Sequence, residues 1–199
     1  MNAPVSARLI LASASPRRSA LLTQIGVVHE VRSVDVDESA LPGELPHLLA
    51  ARLAHSKAVE GRRRGTGCAV LGADTVVVLD TLVFGKPRDA ADAARMLQQL
   101  GGRSHHVLTA VALALPGADA PVLSALSDTE VVMRSISPLD AARYWASGEP
   151  VDKAGGYAIQ GLGAVFIEHI RGSYSGVMGL PLYETGQLLQ AHGLMGERG

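Results

Sequence analysis

The sequence predicts an α/β domain, and two stretches carry that expectation. Ala69-Val-Leu-Gly-Ala-Asp-Thr-Val-Val-Val-Leu79 is apolar at nearly every position, the pattern of a strand buried on both faces. Arg8-Leu-Ile-Leu-Ala12 is a second buried-strand pattern. It leads through Ser13-Ala-Ser-Pro-Arg-Arg18 into a helical stripe of Leu21, Leu22 and Ile25, closed by Gly26. A strand feeding a tight turn and a helix is the unit from which α/β domains are built.

Bulk properties narrow the class. A chain of 199 residues suits one domain or one domain with two lobes. Hydrophobic residues at 47% against 19% charged allow a globular core without disulfide staples. A net charge of −1 offers no electrostatic footprint for a nucleic-acid duplex. Cys68, the single cysteine, excludes an internal disulfide and any multi-cysteine zinc site. Leu9–Ala12 is too short for a signal segment, and no apolar run reaches the roughly eighteen residues a membrane helix needs. A cytoplasmic location with no membrane partner is expected. No solenoid repeat is present.

In chain order, Ser15 and Pro16 have the chemistry of a helix N-cap and first turn. Arg17 and Arg18 then oppose the helix dipole. An anion at that turn would be held by backbone N–H groups and both guanidinium groups, so phosphate binding is favoured over a solvated pair. Residues 27–34 read as a second strand. Asp35-Val-Asp-Glu38 and the Pro/Gly loop after it read as solvated, with metal capture the functional alternative. A helix is expected from Pro46 to Arg63, with Leu48, Leu49, Leu53 and Ala54 inward and Lys57 at the edge as an ordinary snorkelling lysine. Arg62 through Gly67 reads as a basic solvated loop.

Asp74 is the first catalytic candidate, because a carboxylate in a doubly buried strand is costly unless paired or bound to a cation. Gly72 and Ala73 beside it leave backbone open to a ligand. Asp80-Thr81 suits a hairpin turn returning through Leu82–Phe84. Gly85-Lys-Pro87 follows, and there Lys86 is either a surface lysine or a cation aimed at Asp74. Asp89 caps a helix that ends at Gly101-Gly102. His106–Leu115 and Val122–Arg134 read as antiparallel strands. His105 and His106 point to opposite faces and are structural.

Ser137-Pro138 opens a helix to about Ser147. Gly148 to Gly163 is a glycine-rich segment, where Gln160 offers both a donor and an acceptor and Asp152-Lys153 is a local ion pair. Ala164–Ile170 reads as a strand and Arg171–Gly176 as a polar loop. A last helix runs from Gly179-Leu-Pro181 to about Ala191. A disordered tail is expected over Met195–Gly199.

Taken together, Ser13-Ala-Ser-Pro-Arg-Arg18, Gly72-Ala-Asp-Thr75, Gly85-Lys-Pro87, Asp152-Lys-Ala-Gly155 through Ile159-Gln-Gly161, and Gly172-Ser-Tyr-Ser-Gly-Val-Met-Gly-Leu-Pro181 resemble the motifs of the Maf family of nucleoside triphosphate pyrophosphatases. The resemblance covers residues 9 to about 193 and implies one domain over 1–199, with an ordered core over about 8–193. It implies a mixed, elongated sheet flanked by helices, with two lobes around a deep cleft. It also implies hydrolysis to a monophosphate and pyrophosphate, a divalent cation (Mg or Mn) as cofactor, and a homodimer. By motif position Asp74 is the acidic catalytic residue, and Arg17, Thr75 and Gln160 are specificity positions. Ser13, Arg18, Lys57 and Lys86 line the phosphates, and Glu38 and Asp74 the metal. Lys153, Tyr157 and the Ile-Gln-Gly pattern are similar to the dTTP/UTP branch. The 7-methyl-GTP branch generally carries Glu-Gly in place of Gln160-Gly161. Gly176 stands where the family often has a polar residue. The competing functions are 7-methyl-GTP hydrolysis, nucleotidyl transfer (disfavoured because Ser13–Arg18 lacks glycine) and a nucleotide sensor of cell division without turnover.

Overall fold

The structure is a computed structural model that describes residues 9–65 and 67–195. Arg8 of the expected first strand, Thr66 of the basic stretch and residues 196–199 of the expected tail lie outside the described residues. The elements in order are β1 (Leu9–Leu11), α1 (Pro16–Gln24), β2 (His29–Val31), α2 (Pro46–Arg63), β3 (Ala69–Leu79), β4 (Leu82–Phe84), α3 (Ala90–Leu100), β5 (Ser104–Ala114), β6 (Val122–Met133), α4 (Pro138–Ala146), β7 (Ile167–Arg171), α5 (Tyr174–Met178) and α6 (Leu182–Ala191). The strands form one seven-stranded sheet in the order β2-β1-β3-β5-β6-β7, with β4 on β3. It is mixed, since β1 pairs in parallel with β2 and β3, whereas β3–β4 and β6–β7 are antiparallel. Among the described residues no helix is long and apolar enough to cross a membrane.

The chain divides into two compact units. Among the described residues, one takes 9–74, 110–126 and 179–195, and the other takes Thr75–Thr109 and Ser127–Met178. In the first unit β1 is wholly buried, with Leu9 opposite His29 on one side and Ala69 on the other. Helix α2 has the expected bounds, but its inward face is turned. Leu49, Ala50, Leu53, Ala54, Lys57, Ala58 and Gly61 are buried, while the expected Leu48 is 51% exposed. The reason is steric, because a face of small residues brings the helix backbone down onto β3. A Cβ added at Gly61 would stand 2.7 Å from Val70 Cγ1. One added at Gly72 would stand 2.3 Å from the Ala54 carbonyl oxygen and 2.6 Å from Ala58 N. The space beside Gly72, expected to admit a ligand, is therefore filled by α2.

The second unit has its own core. Ala93, Met96, Leu97 and Leu100 are on the buried stripe of α3, the three-and-four spacing of an amphipathic helix, and Met96, Leu97 and Leu100 pack with Val77, Phe84 and Tyr157. Asp89 caps α3 through Asp92 N at 2.8 Å, and Ser137 caps α4 through Asp140 N at 3.1 Å. His105 lies inward, 2.7 Å from the Tyr157 hydroxyl, and burial lowers its pKa to about 4, so it is neutral near pH 7. His106 lies outward on Asp128. Lys153 pairs with Asp152.

Two expectations fail here. The strand expected over Ala164–Ile170 begins only at Ile167, because Leu162–Phe166 is a tight helical turn. Its first N–H groups are drawn to the Glu149 carboxylate instead of a sheet ladder. The loop expected over Arg171–Gly176 contains the start of α5, nucleated by Ser173 Oγ, which accepts from Gly176 N at 3.0 Å. Gly176 is buried with Ser127 Oγ 3.1 Å from where a Cβ would sit, so a side chain there would need the neighbouring serines to give way.

The Gly72 contact has a measurable consequence. Gly72→Ala should push α2 off β3 and cost about 1–3 kcal/mol, read as a lower urea midpoint at unchanged slope. An unchanged midpoint would contradict the packing described.

Candidate active site

The site is assembled at the end of β1, the start of α1, the middle of α2 and the middle of β3, all within the first unit. Ser15 occupies the N-cap position of α1, but its side chain makes no capping bond. Its backbone N–H donates to Ser13 Oγ instead, at 3.1 Å. Ser13 is buried and also accepts from Arg18 Nη1 at 3.2 Å. The Arg18 fork turns inward, where Nη1 donates to the Ala73 carbonyl at 2.9 Å and Nε to the Gly179 carbonyl at 2.8 Å. One guanidinium thus ties the turn, β3 and the approach to α6 together. Burial pushes its pKa below the ordinary arginine value, with Asp74 opposing that shift. The group remains a cation at any ordinary pH. Arg17 is half-buried beside it.

Asp74 lies on the face of β3 that Gly72 shares, since residues two apart point the same way. That face meets α2. Lys57 Nζ donates to Asp74 Oδ1 at 2.6 Å and lies 2.6 Å from Glu38 Oε1. The ammonium is only 10% exposed at its side chain, Asp74 11% and Glu38 57%. Lys57 is therefore no surface snorkeller. It is the bridge between a buried carboxylate and an outer one. Burial raises the pKa of Asp74 above the ordinary aspartate value; Lys57 and then Arg18 oppose the shift, and Glu38 adds to it.

Glu38 is carried on an exposed loop, as its composition suggests, and that loop is pinned to α2. Arg52 donates to the Ser39 carbonyl at 2.9 Å and grips Glu44 through two nitrogens at 2.6 and 2.8 Å. Glu44 also accepts from Leu41 N, and the Arg52 bonds above all hold its pKa down to about 2. Arg52 and Glu44 are the residues missed. Their only signal was an arginine five residues before Lys57 on the same helix.

The structure thus brings Ser13, Arg18, Glu38, Lys57 and Asp74 into one cluster, with Arg17 on its rim. Thr75, next in the chain, points to the other face of β3. Its hydroxyl is 3.0 Å from Thr109 Oγ1, which donates to the Gly176 carbonyl at 2.8 Å. Lys86 is exposed after β4, and Gln160 is exposed between buried Ile159 and half-buried Gly161. These three belong to the second unit.

As a metal site the cluster offers part of a coordination shell. Among the described residues no three His, Cys, Asp or Glu side chains converge. Asp74 and Glu38 do converge on the Lys57 ammonium, each at 2.6 Å. Two hard oxygen donors suit a magnesium-like cation that completes its shell with substrate phosphates, so these residues fit the group.

Fold and site define a class, an α/β protein with arginines at a strand-to-helix turn and a lysine-bridged carboxylate on the adjoining strands. The chain belongs to the Maf family, since the family described as Maf-like protein matches residues 8–192. It is 54% identical over 181 residues to the dTTP/UTP pyrophosphatase of Pseudoalteromonas translucida (strain TAC 125), covering 90% of this chain and 94% of that protein. It is 51% identical over 192 residues to the dTTP/UTP pyrophosphatase of Saccharophagus degradans (strain 2-40 / ATCC 43961 / DSM 17024), covering 94% of this chain and 89% of that one. A nucleoside-triphosphatase / dITP/XTP pyrophosphatase from Mycobacterium abscessus ATCC 19977 / DSM 44196 aligns over 92% of this chain and 94% of its own with TM-score 0.46 and 19% identity. At that score the likeness carries no weight for the site.

The lysine bridge predicts a coupled response. Lys57→Met should cost about 3 kcal/mol by leaving Asp74 buried without its ammonium. The Lys57→Met/Asp74→Asn pair should recover most of that loss. Strictly additive costs in urea unfolding would mean the two side chains do not depend on each other.

Proposed function

We propose that the chain hydrolyses nucleoside triphosphates, dTTP and UTP foremost, to the monophosphate and pyrophosphate. The observation that carries this is the buried Asp74 carboxylate, held by Lys57 within reach of an arginine turn and kept at a raised pKa by burial. The names of relatives at about half identity over nearly the whole chain support the substrate class.

Asp74 orients the attacking water and takes its proton. The water oxygen bonds to the α-phosphorus, the bond to the bridging oxygen breaks, and pyrophosphate leaves with that electron pair. Arg17, Arg18, Ser13, Lys57 and Lys86 hold the triphosphate in line, and this positioning supplies much of the acceleration. Glu38 and Asp74 would hold a divalent cation, which when bound neutralises charge on the phosphates. Arg17, Thr75 and Gln160 select the base. The Gln160 amide complements a pyrimidine imide edge, where one N–H lies between two carbonyls. The proposed enzyme is a single Maf-like domain, acting in the cytoplasm as a homodimer.

Asp74 works in its ionised form, so the rate should fall as pH drops through its pKa. Because burial raises that pKa, the acid limb of kcat/KM, which reports the free enzyme, should lie above the ordinary aspartate value of 3.8. Asp74→Asn should lower kcat by about a hundredfold or more and abolish the limb, with the circular-dichroism spectrum retained. A variant keeping most of its activity would remove Asp74 from the mechanism.

A further inference from the structure

Three backbone N–H groups around Gln160, those of Ala158, Leu162 and Gly163, go to side chains and not to a sheet, while Gly161 N donates within the segment to the Ala158 carbonyl at 3.3 Å. Ala158 N donates to the Tyr144 hydroxyl at 3.0 Å, and that hydroxyl donates to Glu149 Oε1 at 2.6 Å. Gly163 N donates to the same Oε1 at 3.0 Å, and Leu162 N to Oε2 at 2.9 Å. One carboxylate therefore collects both ends of the short segment from which Gln160 projects. Gly161 shows how closely the backbone wraps it: an added Cβ would lie 2.0 Å from Glu149 Oε2. At Gly163 an added Cβ would lie 2.6 Å from the Tyr144 hydroxyl. The glycines flanking Gln160, which look like openings for a ligand, are openings for Glu149 and Tyr144.

We infer that Glu149 is a positioning residue for base selection, fixing the Ala158–Gly163 segment so that its exposed side chain meets the nucleobase at a set place. This rests on the proposed pyrophosphatase activity and on the assignment of Gln160 as a base reader. Glu149 has the chemistry of a brace and not of a base. Burial alone would raise its pKa, but the hydrogen bonds from Tyr144, Gly163 and Leu162, with the charge of Lys153, outweigh that and hold it below the ordinary range. It stays ionised and turned inward. A carboxylate accepts at both oxygens. Glu149→Gln keeps the size but replaces one acceptor by an NH2 group, which must face a backbone N–H or the Tyr144 hydroxyl. The segment then has to shift.

The test compares initial rates on dTTP and GTP for the wild type, Glu149→Gln, Gln160→Ala and the double variant, with amide hydrogen exchange of Leu162 and Gly163. Glu149→Gln is expected to lose about tenfold or more of the dTTP preference, through KM with kcat little changed. Exchange at both amides should quicken, and the double variant should be no less selective than Gln160→Ala. Tyr144→Phe, which removes the hydroxyl link and keeps the ring in the core, should act in the same direction and serves if Glu149→Gln fails to fold. If Gln160→Ala loses the preference while Glu149→Gln and Tyr144→Phe keep it, the role of Glu149 is overturned and that of Gln160 stands. If Glu149→Gln loses it and Gln160→Ala does not, Glu149 stands and the Gln160 assignment falls. An equal fall in kcat for both nucleotides would make Glu149 a general brace and overturn the inference.

Discussion

The position of one ammonium group governs the candidate site. Lys57 Nζ stands 2.6 Å from both Asp74 and Glu38, with two of the three side chains nearly out of water. Removing charges from water costs several kcal/mol per ion, and only close, well-directed partners offset it. The geometry leaves little slack. Lys57 reaches Asp74 because α2 rests directly on β3, and α2 rests there because Gly72 and Gly61 have no side chains to hold it off. Arg52 brings the Glu38 loop to the same helix, and Arg18 ties the α1 turn to the Ala73 carbonyl. Packing of small residues thus sets where Lys57 and Asp74 meet.

Surroundings also push two carboxylates of the chain in opposite directions. Asp74 is buried, and burial outweighs its cations, so its pKa is raised toward the range of a proton acceptor. Glu149 is half-buried and receives two backbone N–H groups and a tyrosine hydroxyl, so its pKa is lowered and its oxygens are occupied. The first has the properties wanted at a reacting centre and the second those wanted in a scaffold. Such divergence between like groups is how acid–base roles are divided in many enzymes.

Much of the frame was legible in the residues. The doubly buried run Ala69–Leu79 and the helix Pro46–Arg63 have the bounds their patterns indicate, and the Ser137-Pro138 cap stands where expected. Asp74 was visible because a carboxylate in an apolar strand needs a reason. Lys57 and Glu38 were not, since they lie 17 and 36 residues before Asp74 in the chain and no local pattern encodes that meeting. Only the family resemblance pointed to them. Leu48 was misplaced because a stripe scored by hydrophobicity ignores that small residues, not large ones, allow closest approach. The turn at Leu162–Phe166 was missed for a related reason: its N–H groups are claimed by Glu149, a tertiary partner that outweighs local strand propensity.

The most direct measurement is product analysis of dTTP turned over in heavy-oxygen water with magnesium or manganese. Attack by water on the α-phosphorus, with Asp74 taking the proton, requires pyrophosphate and dTMP as products, with the heavy oxygen in dTMP. Release of inorganic phosphate with dTDP, heavy oxygen in the pyrophosphate, or nucleotide binding without any product would contradict it.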